Sequence, residues 1–319
     1  MKSRRTLWCI LALALSVGSA FAESYPSKSI RIIVPFGPGS GSDVIARLFA
    51  KYLQERWKQT VVVDNRPGAS GLIGTEALKK SAPDGYTLGM ATNSTHAAAP
   101  HLFKKLPYDP VKDFEHVGLF GTQAAVAIVP VASLFKSLPE LVAYAKANPD
   151  KVFFGYADTS SQIPGELLKV TADIPIEGVS YKTVSNVLTD LIGGHIQFMF
   201  VNYVAASPHI AGGRVMPIAV TDLKRAALWP NVPTVAETYP GFEVRGFVAL
   251  AAPRSTPKEI IAKLNRAMRD AQADPVFKAP LEKTGATLTQ STPEEYRAFL
   301  LKETERWRQW IRMAKIAPQ

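Results

Sequence analysis

A chain of 319 residues with 37 basic and 27 acidic side chains, a formal net charge of +10 and a single cysteine has room for two domains of ordinary size. It is too poor in cysteine for a disulfide framework or a thiolate metal site. The basic residues are dispersed, in pairs such as Lys79-Lys80 and Lys104-Lys105 without interleaved aromatics, so no nucleic acid is expected as a partner. A diffuse positive field still favours the arrival of small acids.

The chain opens "MKSRRTLWCILALALSVGSAFA", with Lys2, Arg4 and Arg5, an apolar run from Leu7 to Leu15, and Ala20-Phe21-Ala22. That is the layout of a secretory signal, residues 1–22, cut after Ala22. An uncleaved anchor is the other reading, and the small-residue cleavage site and the short apolar run speak against it. Cleavage removes Cys9 and leaves 34 basic against 27 acidic residues, a net charge of +7. After Ala22 no apolar run reaches the ~18 residues of a membrane span. The nearest, "AAVAIVPVASLF", is broken by Pro130. The expectation is a mature protein that is soluble outside the inner membrane.

Ile30–Val34 reads as a strand that stops at Pro35. A small-residue loop follows, and Ser42–Trp57 reads as a helix with Val44, Ile45, Leu48, Phe49, Tyr52 and Leu53 on one face. Thr60–Gly68 is a buried-type strand ending in a turn. "GLIGTEALKKSAPDGYTLGMAT" gives a helix, a turn at Pro83-Asp84-Gly85 and a strand into Asn93. The class is α/β with a mostly parallel sheet. Ser137-x-x-Glu140, Thr256-x-x-Glu259 and Thr292-x-x-Glu295 read as capping boxes, the last two with proline at the first helical position. The final helix runs from Pro293 to about Ala314, and its stripe of Tyr296, Phe299, Leu300, Trp307 and Ile311 reads as a packing face. Two extended apolar stretches, Phe120–Pro130 and Gly241–Pro257, read as crossings between lobes. They enclose an inserted lobe at 124–245 and leave 23–123 and 246–319 as the other.

The loop "FGPGSGSD", Phe36 to Asp43, carries the strongest chemical signal. It has G-x-G-x-G but not G-x-G-x-x-G, and no G-K-[ST], so a nucleotide loop is not supported. No G-x-S-x-G elbow stands at a strand–helix junction, so neither is a serine hydrolase. His96, His101, His116, His195 and His209 show neither a triad context nor metal-ligand spacing, and they read as surface or core residues. No metal and no cofactor is expected. A strand, a small-residue loop and a helix N-terminus suit an anion, with Ser40 as N-cap and Asp43 reaching back. Asp43 competes for the same field unless its carboxylate points away from the ligand. On local residues alone an ordinary tight turn between strand and helix stays open as the alternative.

The motifs "YPSKSIRIIVPFGPGSGSDVIAR", "VVVDNRPGASGLIGTEALKKSAPDGYTL", "YDPVKDFEHVGLF", "PELVAYAKANP", "LTDLIGGHIQFMF", "GRVMPIAVTDLKRAALWPNVPTVAE" and "APRSTPKEIIAKLN" follow in that order. Together they resemble the Bug family, extracytoplasmic solute receptors of tripartite tricarboxylate transporters, over nearly the whole mature chain. The resemblance implies a two-lobed periplasmic-binding-protein (type II) fold with two inter-lobe crossings. It implies a periplasmic, non-enzymatic protein, a monomer, that holds a small carboxylate or relative in the cleft. Membrane transporter subunits are the implied partners, with a membrane sensor as the alternative. One carboxylate would be gripped largely by backbone amides and ordered water from two loops of the first lobe. Those loops are here Phe36, Gly37, Pro38, Gly39, Ser40, Gly41, Ser42 and Asp43, and Asn93, Ser94, Thr95 and His96. The other lobe would add Asp158, Thr159, Ser160, Ser161 and Gln162, then Tyr181 and Lys182, then Asn202, with Phe247 nearby. The sequence departs from the family pattern on that distal side. Tyr156 and Asp158 stand where small residues are common, Thr183 where Gly is, Asn202 where Asp often is, and Phe247 where Trp often is.

Overall fold

The computed structural model describes residues 25–318, so the signal-sequence reading and Cys9 lie outside the described residues. Strand β1 (Ile30–Val34) is a near-continuous apolar run because both of its faces are covered. Ile33 enters one core cluster, and Ile30, Ile32 and Val34 enter another. The chain turns into helix α1 (Gly41–Trp57), capped by Ser40 and closed by left-handed Lys58. Phe49 of α1 packs edge-on against Phe120 and Phe277. Strand β2 (Val61–Asn65), helix α2 (Leu72–Lys79) and strand β3 (Thr87–Thr92) follow, with β2 and β3 parallel to β1 on either side. From β3 the chain enters a π-helical turn, Asn93–Ala98, and the short helix α3 (Ala99–Leu102).

Strand β4 (Phe114–Pro130) leads into α4 (Leu138–Ala147), β5 (Val152–Tyr156), α5 (Thr159–Ala172), β6 (Ile176–Ser180), α6 (Val184–Ile192), β7 (Met199–Asn202), α7 (Tyr203–Ala211), β8 (Val215–Val220) and α8 (Val235–Thr238). The chain returns along β9 (Arg245–Pro253) and ends in α9 (Lys258–Ala273), α10 (Pro275–Glu282), β10 (Thr287–Leu288) and α11 (Pro293–Met313). Among the described residues no helix is long and apolar enough to cross a membrane.

The main sheet has the order β10-β4-β9-β3-β1-β2. Strand β4 changes partners along its length. Phe114 to Ala124 pairs with β9, and Ala125 to Pro130 pairs with β7 and β8. The change falls between the pairs Ala124↔Arg245 and Ala125↔Asn202. The chain therefore leaves one α/β body and returns to it through neighbouring positions of a single ladder, and the fold is two-lobed. In the second body β5 lies parallel to β6 and bridges to the strand region before β7 at Phe154↔Phe198. Arg245 ties the crossing together: one guanidinium nitrogen meets both Asp222 oxygens at 2.7 and 2.9 Å, and another donates to the Thr122 hydroxyl at 3.1 Å.

Three expectations are corrected. The sheet is mixed rather than mostly parallel. The pairings of β9 with β3 and β4, and of β4 with β7, β8 and β10, are all antiparallel, because the outgoing and returning crossings run side by side in opposite directions. The Thr256 capping box does not form. The Thr256 hydroxyl closes the turn after β9 by donating to the Pro253 carbonyl at 2.7 Å, and Pro257 becomes the helix cap. At Ser137 half a box forms: Ser137 accepts the Glu140 N–H, but Glu140 takes the N–H of Lys136. The Thr292–Glu295 box is complete, with Pro293 at the first helical position.

Candidate functional site

Where β4 changes partners, the carboxyl ends of strands from both lobes face one pocket. That is where open α/β sheets place ligands. The first lobe contributes Phe36 with Ser40, Gly41 and Ser42 at the start of α1, and Thr92, Asn93 and Ser94 at the start of the π-helical turn. The second contributes Asp158 and Ser160 at the start of α5 and Asn202 at the start of α7. The floor is the crossing itself, Gln123 to Ala125 on β4 with Val244 and Gly246 to Val248 around the start of β9. Trp307 of α11 closes one wall.

Ser40, Thr92, Asp158 and Asn202 each stand at a helix cap, so four helix N-termini converge on the pocket. Their free amides and aligned dipoles favour an anion at each N-terminus without a cationic side chain. No lysine, arginine or histidine lines it, and Asp158 is its one carboxylate. In the first turn of α1 the Asp43 N–H goes to the Ser40 hydroxyl and the Val44 N–H to the Ser40 carbonyl. No described residue accepts the N–H of Gly41 or Ser42. Three further buried polar atoms on the lining have no partner: Asn93 Nδ2, Gln123 Oε1 and Trp307 Nε1. Asn93 has a fixed orientation, because its Oδ1 accepts the Phe247 N–H at 3.3 Å. Buried polar groups without partners are expensive. Several at one pocket mark where a ligand completes the hydrogen bonding.

Asp43 is turned out of this field. Its Oδ2 accepts from Gly39 N–H and Arg47 Nε, both at 3.0 Å, and its Oδ1 accepts from Asn65 Nδ2 at 2.9 Å. The carboxylate is neutralised behind the loop and leaves the first turn of α1 to the pocket. Gly39 sits at φ +82°, where it makes the tight turn, and a Cβ there would meet Ser185 Oγ only at 3.9 Å. Its glycine is thus required by the backbone and not by a steric approach.

The lobes are shut on the site. The cavity between them is small, about 30 Å³. Ser185 Oγ donates to the Pro38 carbonyl across the cleft at 3.3 Å. A Cβ on Gly41 would lie 2.6 Å from Asn202 Oδ1, which is itself held as the α7 cap by the Ala205 N–H. A Cβ on Gly37 would lie 2.8 Å from Thr183.

Of the residues expected from the sequence, Phe36, Ser40, Gly41, Ser42, Asn93, Ser94, Asp158, Ser160, Asn202 and Phe247 line the pocket. The others lie beside or behind it. Gly37, Pro38, Gly39 and Asp43 shape the loop from outside. Thr95 and His96 turn into the core, where the Thr95 hydroxyl meets His96 Nδ1 at 2.9 Å and the imidazole packs on Tyr108 and Phe114. Burial, with the neighbouring His116 adding to it, holds the His96 pKa down to about 3. Thr159 is buried and Gln162 half-buried in α5, and Ser161 completes the Asp158 capping box. The Tyr181 hydroxyl donates to Asp190 Oδ2 at 2.8 Å, and desolvation followed by that carboxylate pushes its pKa up to about 12. Lys182 is exposed.

Sequence reasoning missed Thr92, Gln123, Ala124, Ala125, Val244, Gly246, Val248 and Trp307. Gln123 had a signal, as a lone amide in the apolar crossing "GTQAAVAIVP". Trp307 had none, since a helical stripe does not say which indole faces a pocket.

The comparisons with known proteins agree with this geometry. The model of the "Tripartite tricarboxylate transporter family receptor" matches residues 45–316. Protein BugT of Bordetella pertussis is 36% identical over 290 residues, which cover 90% of this chain and 89% of that protein. The structure of the periplasmic binding protein BugD superposes with a TM-score of 0.88 at 30% identity, covering 92% of this chain and 100% of that one. An R. palustris protein solved with adipate gives 0.89 at 30% identity with the same coverage. MatC from Rhodopseudomonas palustris, solved with bound malate, gives 0.85 at 29% identity, covering 90% and 100%.

Proposed function

The chain belongs to the tripartite tricarboxylate transporter receptor family, and we propose that it captures a small organic carboxylate in its cleft and delivers it, chemically unchanged, to a transporter of the tripartite type. The observation that carries this reading is the pair of unclaimed amides at Gly41 and Ser42, in a pocket where helix N-termini converge and no cationic side chain stands. Such a site takes one carboxylate by main-chain hydrogen bonds and helix dipoles. Asn93 Nδ2 and Trp307 Nε1 add donors. The adipate and malate held by two similar structures are acids of the size and charge this reading requires.

We further place the lobes at 23–123 with 246–319, and at 124–245, hinged where β4 changes partners. The shut cleft must open to admit a ligand, so free protein in solution should be less compact than bound protein. On this reading residues 1–22 are a signal sequence and the mature chain is periplasmic, so sequencing of the exported form should begin at Glu23.

Thermal-shift screening of mono-, di- and tricarboxylates tests the binding. A ligand at ~100 times its dissociation constant stabilises by about 2.7 kcal/mol, which is several degrees for a protein of this size. Equal melting temperatures with every acid at millimolar concentration would refute the reading. So would recovery of a bound acid as a new compound.

A further inference from the structure

We propose that the acid held in this cleft carries an amino or amide group at the end opposite its carboxylate, and that Asp158 is the residue that selects it. The inference rests on the carboxylate reading above.

Asp158 is 7% exposed and lies on the pocket lining. Its two oxygens are in different situations. Oδ1 takes three hydrogen bonds, from the Ser161 N–H at 2.9 Å, the Ser160 hydroxyl at 2.7 Å and the Ser161 hydroxyl at 2.9 Å. The capping role of the residue is therefore complete through one atom. No described residue donates to Oδ2. Ser160 cannot serve a ligand as a donor while its hydroxyl is given to Asp158.

Asp43 provides the contrast. It lies at the start of the facing helix, and there the protein neutralises it with Arg47 and Asn65 and turns it away from the pocket. Asp158 receives three hydrogen bonds through Oδ1 but no ion pair, and no basic side chain lines the pocket. A second ligand carboxylate on this side would meet a like charge at Asp158, which is unfavourable. An ammonium or amide N–H would supply the donor that Oδ2 lacks. The crossing adds the buried side-chain amide of Gln123, whose oxygen atom has no hydrogen-bond partner and can be presented to a donor. The unclaimed amides of Gly41 and Ser42 thus stand at the α1 wall, and the open oxygen of Asp158 at the α5 wall. The complementary ligand accepts at one end and donates at the other.

The test is calorimetry of the mature protein with matched probes. Succinate, glutarate and adipate are compared with succinamate, glutaramate and adipamate, and with γ-aminobutyrate and ε-aminocaproate. The wild type should bind an amino or amide member at least about 10-fold more tightly than the dicarboxylate of matching length. Asp158→Asn and Asp158→Ser both keep a side chain that caps helices well, so both should fold, and near-native melting temperatures would show it. Each should lose the preference, with the dicarboxylates gaining affinity. Dicarboxylates binding as tightly as their partners in the wild type, or an unchanged ranking in both variants, overturns the proposal and leaves the carboxylate reading standing. Binding of hexylamine with none of the acids overturns the carboxylate reading, and binding of no probe overturns both.

Discussion

The two walls of the cleft use different materials. The α1 wall offers main-chain amides of Gly41 and Ser42, while the facing wall offers the side chains of Asp158 and Asn202. A main-chain donor carries no side-chain identity, so it recognises what all small carboxylates share. Side chains differ in charge and donor pattern, so they separate one acid from another. The two aspartates follow the same division: Asp43 is withdrawn into a hydrogen-bonded network behind its loop, and Asp158 is left on the pocket. On the proposed reading, affinity for the class and selection within it fall to opposite lobes.

The comparison is broken most directly at Gly41. In Gly41→Ala the new Cβ would lie 2.6 Å from Asn202 Oδ1, an atom fixed by its own capping bond. The cleft then cannot shut, and binding of every acid should fall by about 100-fold or more, since each 1.4 kcal/mol is a factor of ten. Without ligand the variant should melt no lower than wild type, because alanine for glycine at a compatible position stabilises by about 0.4–1 kcal/mol. Calorimetry beside thermal melting checks both halves, and retained binding would show that the α1 wall does not need close approach.

Acid should attack the two walls unequally. The first lobe buries His96 and His116, whose pKa values burial holds down to about 3 and about 4 from an ordinary 6.5. For His116 the charge of Arg297 is the second cause. Both imidazoles stay neutral when folded and take a proton when unfolded. Their contribution to stability is thus whole above pH 6.5 and is lost as the pH falls toward 4. The slope should approach about 1.4 kcal/mol per pH unit for each group. In the second lobe His195 is exposed and His209 half-buried. Urea midpoints between pH 7 and pH 4.5 should fall steeply, and His116→Gln should flatten the fall. An equal slope in that variant would remove His116 from the account.

Trp307→Phe sharpens the donor wall by deleting one N–H and keeping most of the ring. Acid binding should weaken by about 10-fold, the worth of a hydrogen bond of 1–1.5 kcal/mol, and all acids should weaken alike. A change in ranking would assign Trp307 to selection instead. The smallest effect is expected at Ser185→Ala, which removes the exposed 3.3 Å bond to Pro38. Affinity should drop by no more than about 2–3-fold, the scale of a weak exposed contact.

Much of the first lobe was legible because its signals are local. The apolar run Ile30–Val34, the Ser40 cap and the backward reach of Asp43 lie within one short stretch. The crossing segments stood out as long extended apolar runs. Strand direction was not legible, since an apolar run reads the same whether its neighbour is parallel or antiparallel. Thr256 misled because its hydroxyl had two acceptable uses, and the turn after β9 took it. Trp307 could not be found, because it reaches the pocket from the last helix and its unpartnered N–H exists only in the folded chain. Asp158 was expected at the site from the sequence, but that its capping uses Oδ1 alone and leaves Oδ2 without a donor is legible only in the folded chain.

The crossing strands have a double duty with a thermodynamic consequence. Gln123 to Ala125 and Gly246 to Val248 are the floor of the pocket and also flank the point where β4 exchanges partners. Observed affinity is the intrinsic affinity multiplied by the fraction of molecules already shut. The clasp of Arg245 on Asp222 and Thr122 spans this same ladder without lining the pocket. It can therefore act as a tuning screw, raising or lowering affinity for every acid by the same factor while their order of preference stays fixed.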